Sequence, residues 1–119
     1  MKIVLPFPDR RLSPNSRCHW RARLKPKNEA KNIAWAHTVA ADGFHGVRAA
    51  LKVTQGPIAL EIRFYPPDRR HRDDDNMIAA FKAARDGIAE ALGVDDRRFR
   101  PHYFFDEPCA PGRVEVRFA

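Results

Sequence analysis

The sequence predicts an α+β domain: a small mixed sheet of about four to five strands packed against two main helices. Three observations lead there. Ile58–Tyr65, IALEIRFY, alternates apolar and charged residues, with Ile58, Leu60, Ile62 and Phe64 on one side and Glu61 and Arg63 on the other, as a half-buried strand does. Residues 73–92 carry apolar side chains at helical spacing. Shorter alternating segments recur near both ends of a 119-residue chain that is 44% hydrophobic, a size that favours one domain (1–119) with a single modest core.

The elements follow in order. Residues 2–7 place Ile3, Leu5 and Phe7 on one side and read as a short strand, after which Pro6, Pro8 and Pro14 limit regular structure. Residues 12–27, LSPNSRCHWRARLKPK, read as a cation-rich loop whose Ser13-Pro14-Asn15 is turn chemistry. The Ala-rich residues 27–41 predict a helix closed by Asp42-Gly43, with Ala30, Ile33, Ala34, His37 and Ala41 on a mostly small-residue face. Residues 44–55 are ambiguous, punctuated by Gly43, Gly46 and Gly56, and a strand near 50–54 is one option. Pro66-Pro67 stops the strand at 58–65, and Gly93 stops the helix at 73–92. Residues 102–105 and Arg113–Phe118 read as strands, bracketing a loop with Pro108 and Pro111. No internal repeat is present.

Lys and Arg number 22 against 15 Asp and Glu, a formal charge of +7, which favours an anionic partner such as nucleic acid. No apolar run approaches the roughly 20 residues of a membrane helix. Charged and proline residues follow Met1 too closely for a signal peptide, and two distant cysteines, Cys18 and Cys109, suit a reduced cytoplasmic protein. Cys18, His19, His102 and Cys109 lack the spacing of a zinc site.

The charges concentrate at RRHRDDDNM, residues 69–77, where Arg69, Arg70 and Arg72 abut Asp73, Asp74 and Asp75 at a helix start. On the helix that follows, Met77, Phe81, Ala84, Ile88 and Leu92 form the core stripe, while Asp75, Ala79, Lys82 and Asp86 share a narrow arc away from it. Two accounts of the acids stand side by side. Asp or Asn caps a helix N-terminus, and its charge complements the macrodipole. Three adjacent carboxylates also repel one another unless a cation sits among them, and hard divalent ions prefer such oxygens. They are no EF-hand, lacking its glycine and distal glutamate. Asp95-Asp96 adds two more acids beyond the helix. In a continuous helix Asp75 and Asp95 would lie about 30 Å apart, so a shared ion requires that the chain fold back or that two chains pack these helices antiparallel.

These residues together resemble a family. Asp73-Asp74-Asp75-Asn76 is similar to the D-x-D-N motif of RusA-type endodeoxyribonucleases, the Holliday junction resolvases of phages and prophages. LPFP followed by LSPNSRCHWRAR resembles their N-terminal segment, KAARDGIAEALGV their Lys-x-x-x-Asp-(Ala/Gly)-Leu helix with Ile88 for the leucine, and VDDRRF the Asp-Asp that follows. The match runs over nearly the whole chain. It implies a RusA-like fold and a homodimeric, Mg2+-dependent nuclease (Mn2+ as substitute) that resolves branched DNA by paired phosphodiester cuts in recombination and repair, in a bacterial or phage-infected cell. By position, Asp73, Asp75 and Asp96 would be metal ligands and catalytic acids, with Asp95 as the alternative third acid, and Lys82 the catalytic lysine. Some members place that lysine where this chain has Ala79, one turn earlier on nearly the same ridge.

The remaining cations and aromatics divide between binding and structure. Arg10, Arg11, Arg17, Arg21, Arg23, Lys25 and Lys27, with Arg69, Arg70 and Arg72, suit contacts to DNA phosphates. Arg97, Arg98 and Arg100 are expected to flank the cleft. Trp20 is expected in the core, with stacking on a base as the alternative. His19, His71 and His102 lack a motif and read as structural; alternation sends most of Phe64, Tyr65, Tyr103, Phe104 and Phe105 to the core. A non-catalytic basic nucleic-acid-binding protein related to the same family is the rival reading.

Overall fold

The computed structural model describes residues 1–118. Four strands, β1 (Lys2–Pro6), β2 (Ile58–Tyr65), β3 (Phe99–Phe105) and β4 (Arg113–Phe118), form one mixed sheet in the order β1-β4-β2-β3. β4 runs antiparallel to β1 and β2, whereas β2 and β3 are parallel. A parallel pair needs a crossover, and here α3 (Asp74–Ala80) and α4 (Lys82–Leu92) supply it. The two remaining helices, α1 (Leu24–Ala40) and α2 (Phe44–Val53), precede β2. The α+β class follows from the sequence as expected.

Period-two alternation decides what each sheet face carries. Ile3, Leu5, Ile58, Leu60, Ile62, Phe64, Val114 and Val116 are buried beneath the helices. The opposite face carries Lys2, Glu61, Arg63, Arg113, Glu115 and Arg117. Glu115 is buried there because Lys2 (3.0 Å) and Arg113 (2.7 Å) close over it, with Arg117 at 3.9 Å. From the helix side, Met77, Phe81, Ala84, Ile88 and Leu92 are all buried, so the core stripe lies where helical spacing placed it.

Four boundaries differ from expectation. α1 begins at Leu24, because Pro26 sits in the first turn, where a missing N–H costs nothing. Lys25 and Lys27 are therefore on a helix. The inner face of α1 is Pro26, Ala34 and the buried Thr38, whose hydroxyl donates to the Ala34 carbonyl (2.7 Å), while Ile33 and His37 are exposed. Residues 44–53 form α2, and the strand option near 50–54 is overturned: Phe44, Val47 and Leu51 reach the core at helical spacing. The helix expected at 73–92 is interrupted at Phe81 (ψ −6°), whose amide is shared between the Met77 and Ile78 carbonyls (3.1 and 3.2 Å). That tightened turn divides α3 from α4. β3 begins at Phe99, three residues earlier than expected, since Phe99 packs into the core opposite Ile58.

Candidate active site and nucleic-acid interface

α3 starts where the sign of the charge changes. Asp73 occupies its N-cap position, yet no side chain makes a capping hydrogen bond. The Asp73 carboxylate instead accepts from the Asn76 amide (3.4 Å) and lies 3.3 Å from His71 Nε2. Asp74 and Asp75 are exposed in the first turn. Among the described residues, neither Asp74 nor Asp75 pairs with a cation, so these two carboxylates stay unneutralised.

The approach to Asp73 is a cleft of about 880 Å³. Two segments frame it: residues 7–15 with a short 3-10 turn, Arg10–Leu12, and residues 67–73 leading into α3. Four arginines line it, Arg10, Arg11, Arg70 and Arg72. Two of them are held locally. Asp9 accepts from Arg11 (2.9 Å), a bond that holds the Asp9 carboxyl below the usual carboxylate range. Asp68 accepts from the Arg70 amide and from the Arg72 guanidinium (both 2.9 Å), and those bonds lower its pKa likewise. Arg72 also lies over the Phe7 ring, 5.4 Å from its centroid. The side chains of Arg10 and Arg70 have no carboxylate partner among the described residues. They are the cations left for an incoming anion.

A second charged group lies along α4. Gly93, with positive φ, ends the helix; its amide and that of Val94 bond back to the Glu90 and Ala89 carbonyls, and the chain reverses. The reversal brings Asp96 alongside the helix. Lys82 Nζ donates to Asp86 and to Asp96, at 2.5 Å each. Partial burial would lower the Lys82 pKa, but the two carboxylates outweigh it and the net shift is upward. Lys82 in turn lowers the pKa of Asp96. Arg85, one turn on, lies 4.0 Å from Asp96 and donates to the Tyr103 hydroxyl (3.1 Å). Asp95 is bound by Arg97, which holds its carboxyl down at about 2.

Of the two ways to bring distant acids together, the chain uses folding back, but only as far as Lys82. Asp73, Asp75 and Asp96 are not gathered within one chain: among the described residues, no three His, Cys, Asp or Glu side chains lie close enough to hold one metal ion. Asp73 and Asp75 are hard oxygen donors of the kind Mg2+ takes. Asp96 is already engaged by a lysine. Lys82 sits between Asp86 and Asp96 rather than between Asp75 and Asp86.

Other expected site residues fall in distinct places. Arg17 and Arg21 are exposed on the segment that enters α1, and Lys25 and Lys27 at the start of α1, whereas Arg23 is half-buried and donates to the Ser16 carbonyl (2.6 Å). Arg69 is exposed, 3.8 Å from Glu107. Trp20 is not a core residue: it is 60% exposed, because it lies on a 3-10 turn, Trp20–Arg23, that buries nothing. Arg98 does not flank the cleft; it donates to the carbonyls of Gly56 (2.9 Å) and Thr54 (3.2 Å), fastening the α2–β2 connection. The sequence reading missed Asp68 and Arg85. An acid two residues before an arginine in PPDRR signals the Asx-type turn that Asp68 makes. Arg85 follows Lys82 at i+3, the spacing that puts both on one ridge.

No family model matches the chain. It is 45% identical over 115 residues to an uncharacterized protein of Xylella fastidiosa, spanning 96% of this chain and 72% of that protein. The chain belongs to one family with that protein.

Proposed function

We propose that this chain is a Mg2+-dependent, structure-selective endodeoxyribonuclease that acts as a homodimer on four-way DNA junctions, in the cytoplasm of a bacterial or phage-infected cell. The observation that carries this reading is the cleft: Asp73 lines it together with Arg10 and Arg70, the arginines without carboxylate partners, and Asp74 and Asp75 follow Asp73 in the first turn of α3. An acidic centre alone repels DNA. Cations at its rim draw in the backbone that is to be cut.

Roles follow from position. Arg10 and Arg70 take phosphate oxygens, and the Asp68–Arg72 pair stiffens the loop that presents Arg70. Asp73 and Asp75 are the exposed donors for the ion, with Asp96 as the third. When bound, Mg2+ would lower the pKa of an attacking water and stabilise charge at the phosphorus. Because one chain does not gather the three acids, the reading requires a second protomer to complete the set. Lys82 supplies positive charge beside Asp96.

A second reading has an observation of its own. The engagement of Asp96 by Lys82 neutralises the third acid, as suits a non-catalytic basic nucleic-acid-binding protein. A labelled four-way junction and a linear duplex, incubated with Mg2+ or chelator, separate the two. Nuclease action gives paired nicks in the junction only with Mg2+, and Asp75→Asn abolishes them while junction binding persists. Tight junction binding by the wild type with no cutting in Mg2+ or Mn2+ would leave the binding protein as the reading.

A further inference from the structure

We infer that Trp20 is a stacking platform for unpaired nucleotide bases, making the segment that enters α1 a reader of single-stranded or branch-point nucleic acid. This rests on the proposed nucleic-acid partner and names the feature of it that is recognised. It does not depend on cleavage.

The indole is a large apolar surface that the protein leaves mostly uncovered. Trp20 is 60% exposed and Leu24, one turn later, is 48% exposed. Trp20 is nonetheless held in place. His19 caps the 3-10 turn, its Nδ1 accepting from the Arg21 amide (3.2 Å), and its ring lies 5.6 Å from the indole. Arg21 lies over the indole, 5.3 Å from the centroid. Arg23, anchored on the Ser16 carbonyl, ties the turn to the preceding loop. A rigid aromatic presented to solvent on a fixed turn forfeits little entropy when a flat ligand stacks on it.

Charge selects the occupant. Residues 17–27 contain Arg17, Arg21, Arg23, Lys25 and Lys27 and no acid. Among the described residues, only Lys25 of the five is near a carboxylate, Glu29 at 3.9 Å. A second copy of a chain with net charge +7 would meet this surface with repulsion; a polyanion meets it with attraction. Cations flanking an exposed aromatic are the recurring arrangement for single strands, in which backbone phosphates take the charges and a base takes the ring. In a fully paired duplex the bases are stacked on one another, and Trp20 has nothing to receive. The placement also fits. The 3-10 turn at Arg10–Leu12, which lines the cleft, packs against both α3 and the Trp20 turn, so one strand can run from the cleft to the indole.

The chain has two tryptophans, and Trp35→Phe leaves Trp20 as the only reporter. This variant is titrated in chelator with oligo(dT), with a blunt duplex of equal length and with a four-way junction, following tryptophan emission. Saturable quenching by oligo(dT) and, through the unstacked faces of its branch-point bases in chelator, by the junction, with far weaker quenching by the duplex, is expected. Trp20→Ala should weaken oligo(dT) binding about 10-fold, measured by anisotropy, leave duplex binding within about twofold, and be largely rescued by Trp20→Phe. Equal quenching by duplex overturns the inference, as does an equal loss of both affinities in Trp20→Ala. A concentration-dependent emission shift without nucleic acid also overturns it, by showing that another copy covers the ring. Quenching without Mg2+-dependent cutting would keep this inference and remove the nuclease; cutting without quenching would do the reverse.

Discussion

Gly87→Ala is expected to destabilise the protein, although glycine inside a helix usually gains from becoming alanine. Gly87 lies buried in α4 where that helix crosses α1. A Cβ there would collide with the Lys31 carbonyl oxygen and stand 3.1 Å from both the Lys31 carbonyl carbon and the Ala34 methyl. The obstructing atoms are mainly helix backbone, which cannot rotate aside as a side-chain tip can, so α1 and α4 must separate. Helix propensity returns about 1 kcal/mol. Overpacking a fitted interior costs about 1–3 kcal/mol, and rigid backbone puts this site at about 3. The net loss is about 2 kcal/mol, which lowers the melting temperature by roughly 8 °C for a chain of this size. Circular dichroism melts of the wild type and Gly87→Ala measure it. A variant that melts at or above the wild-type temperature would show that the two helices do not pack this closely. The same close approach gives a packing reason for a small residue after Asp86.

Two further outcomes concern charge. Removing Arg10 and Arg70 together should reduce the salt dependence of junction binding by about two units of log–log slope, roughly 0.9 for each phosphate that is no longer neutralised; an unchanged slope from fluorescence anisotropy would remove both from the interface. Asp95, held near 2 by Arg97, has a folded-state pKa below its ordinary 3.8. Its contribution to stability is therefore complete above about pH 4 and is lost as pH falls towards 2. Carbon-detected NMR titration should find the Asp95 carboxyl charged at pH 3, and Asp95→Asn should flatten that part of the acid-unfolding curve.

How far the sequence reached depended on whether neighbouring residues or distant ones decide each feature. β2 and the core stripe of the second long helix were legible because strict periodicity over eight residues or more leaves one side to bury. α2 was obscured by the glycines around it, although Phe44, Val47 and Leu51 already carried the helical interval. The start of α1 lies three residues before the expected 27, where Pro26 occupies a first-turn position open to proline. The site divides along the same line. The Asp73–Asp75 triplet beside Arg70 and Arg72 is contiguous and could be read directly. The contribution of Arg10 depends on residues 7–15 folding against 67–73, and the exposure of Trp20 depends on what fails to cover it. Neither is a local property.

Asp96 offers the sharpest separation between structure and chemistry. With Lys82, Asp86 and Arg85 it forms a group of two cations and two anions, so its field towards DNA nearly cancels. Its side chain is 28% exposed and that of Lys82 50%, and ion pairs so solvated contribute about 0–1 kcal/mol to stability. Asp96→Asn should therefore fold normally and melt close to the wild type. Removing one negative charge leaves Lys82 held by Asp86 alone, and junction affinity in chelator should stay level or rise. Under the nuclease reading, however, cutting must fall to background, because the third acid is gone, while Asp95→Asn still cuts. Junction binding and Mg2+-dependent nicking, measured on both variants, give the answer. An Asp96→Asn protein that nicks at the wild-type rate would make Asp96 only a partner for Lys82, and the third ligand would have to come from elsewhere.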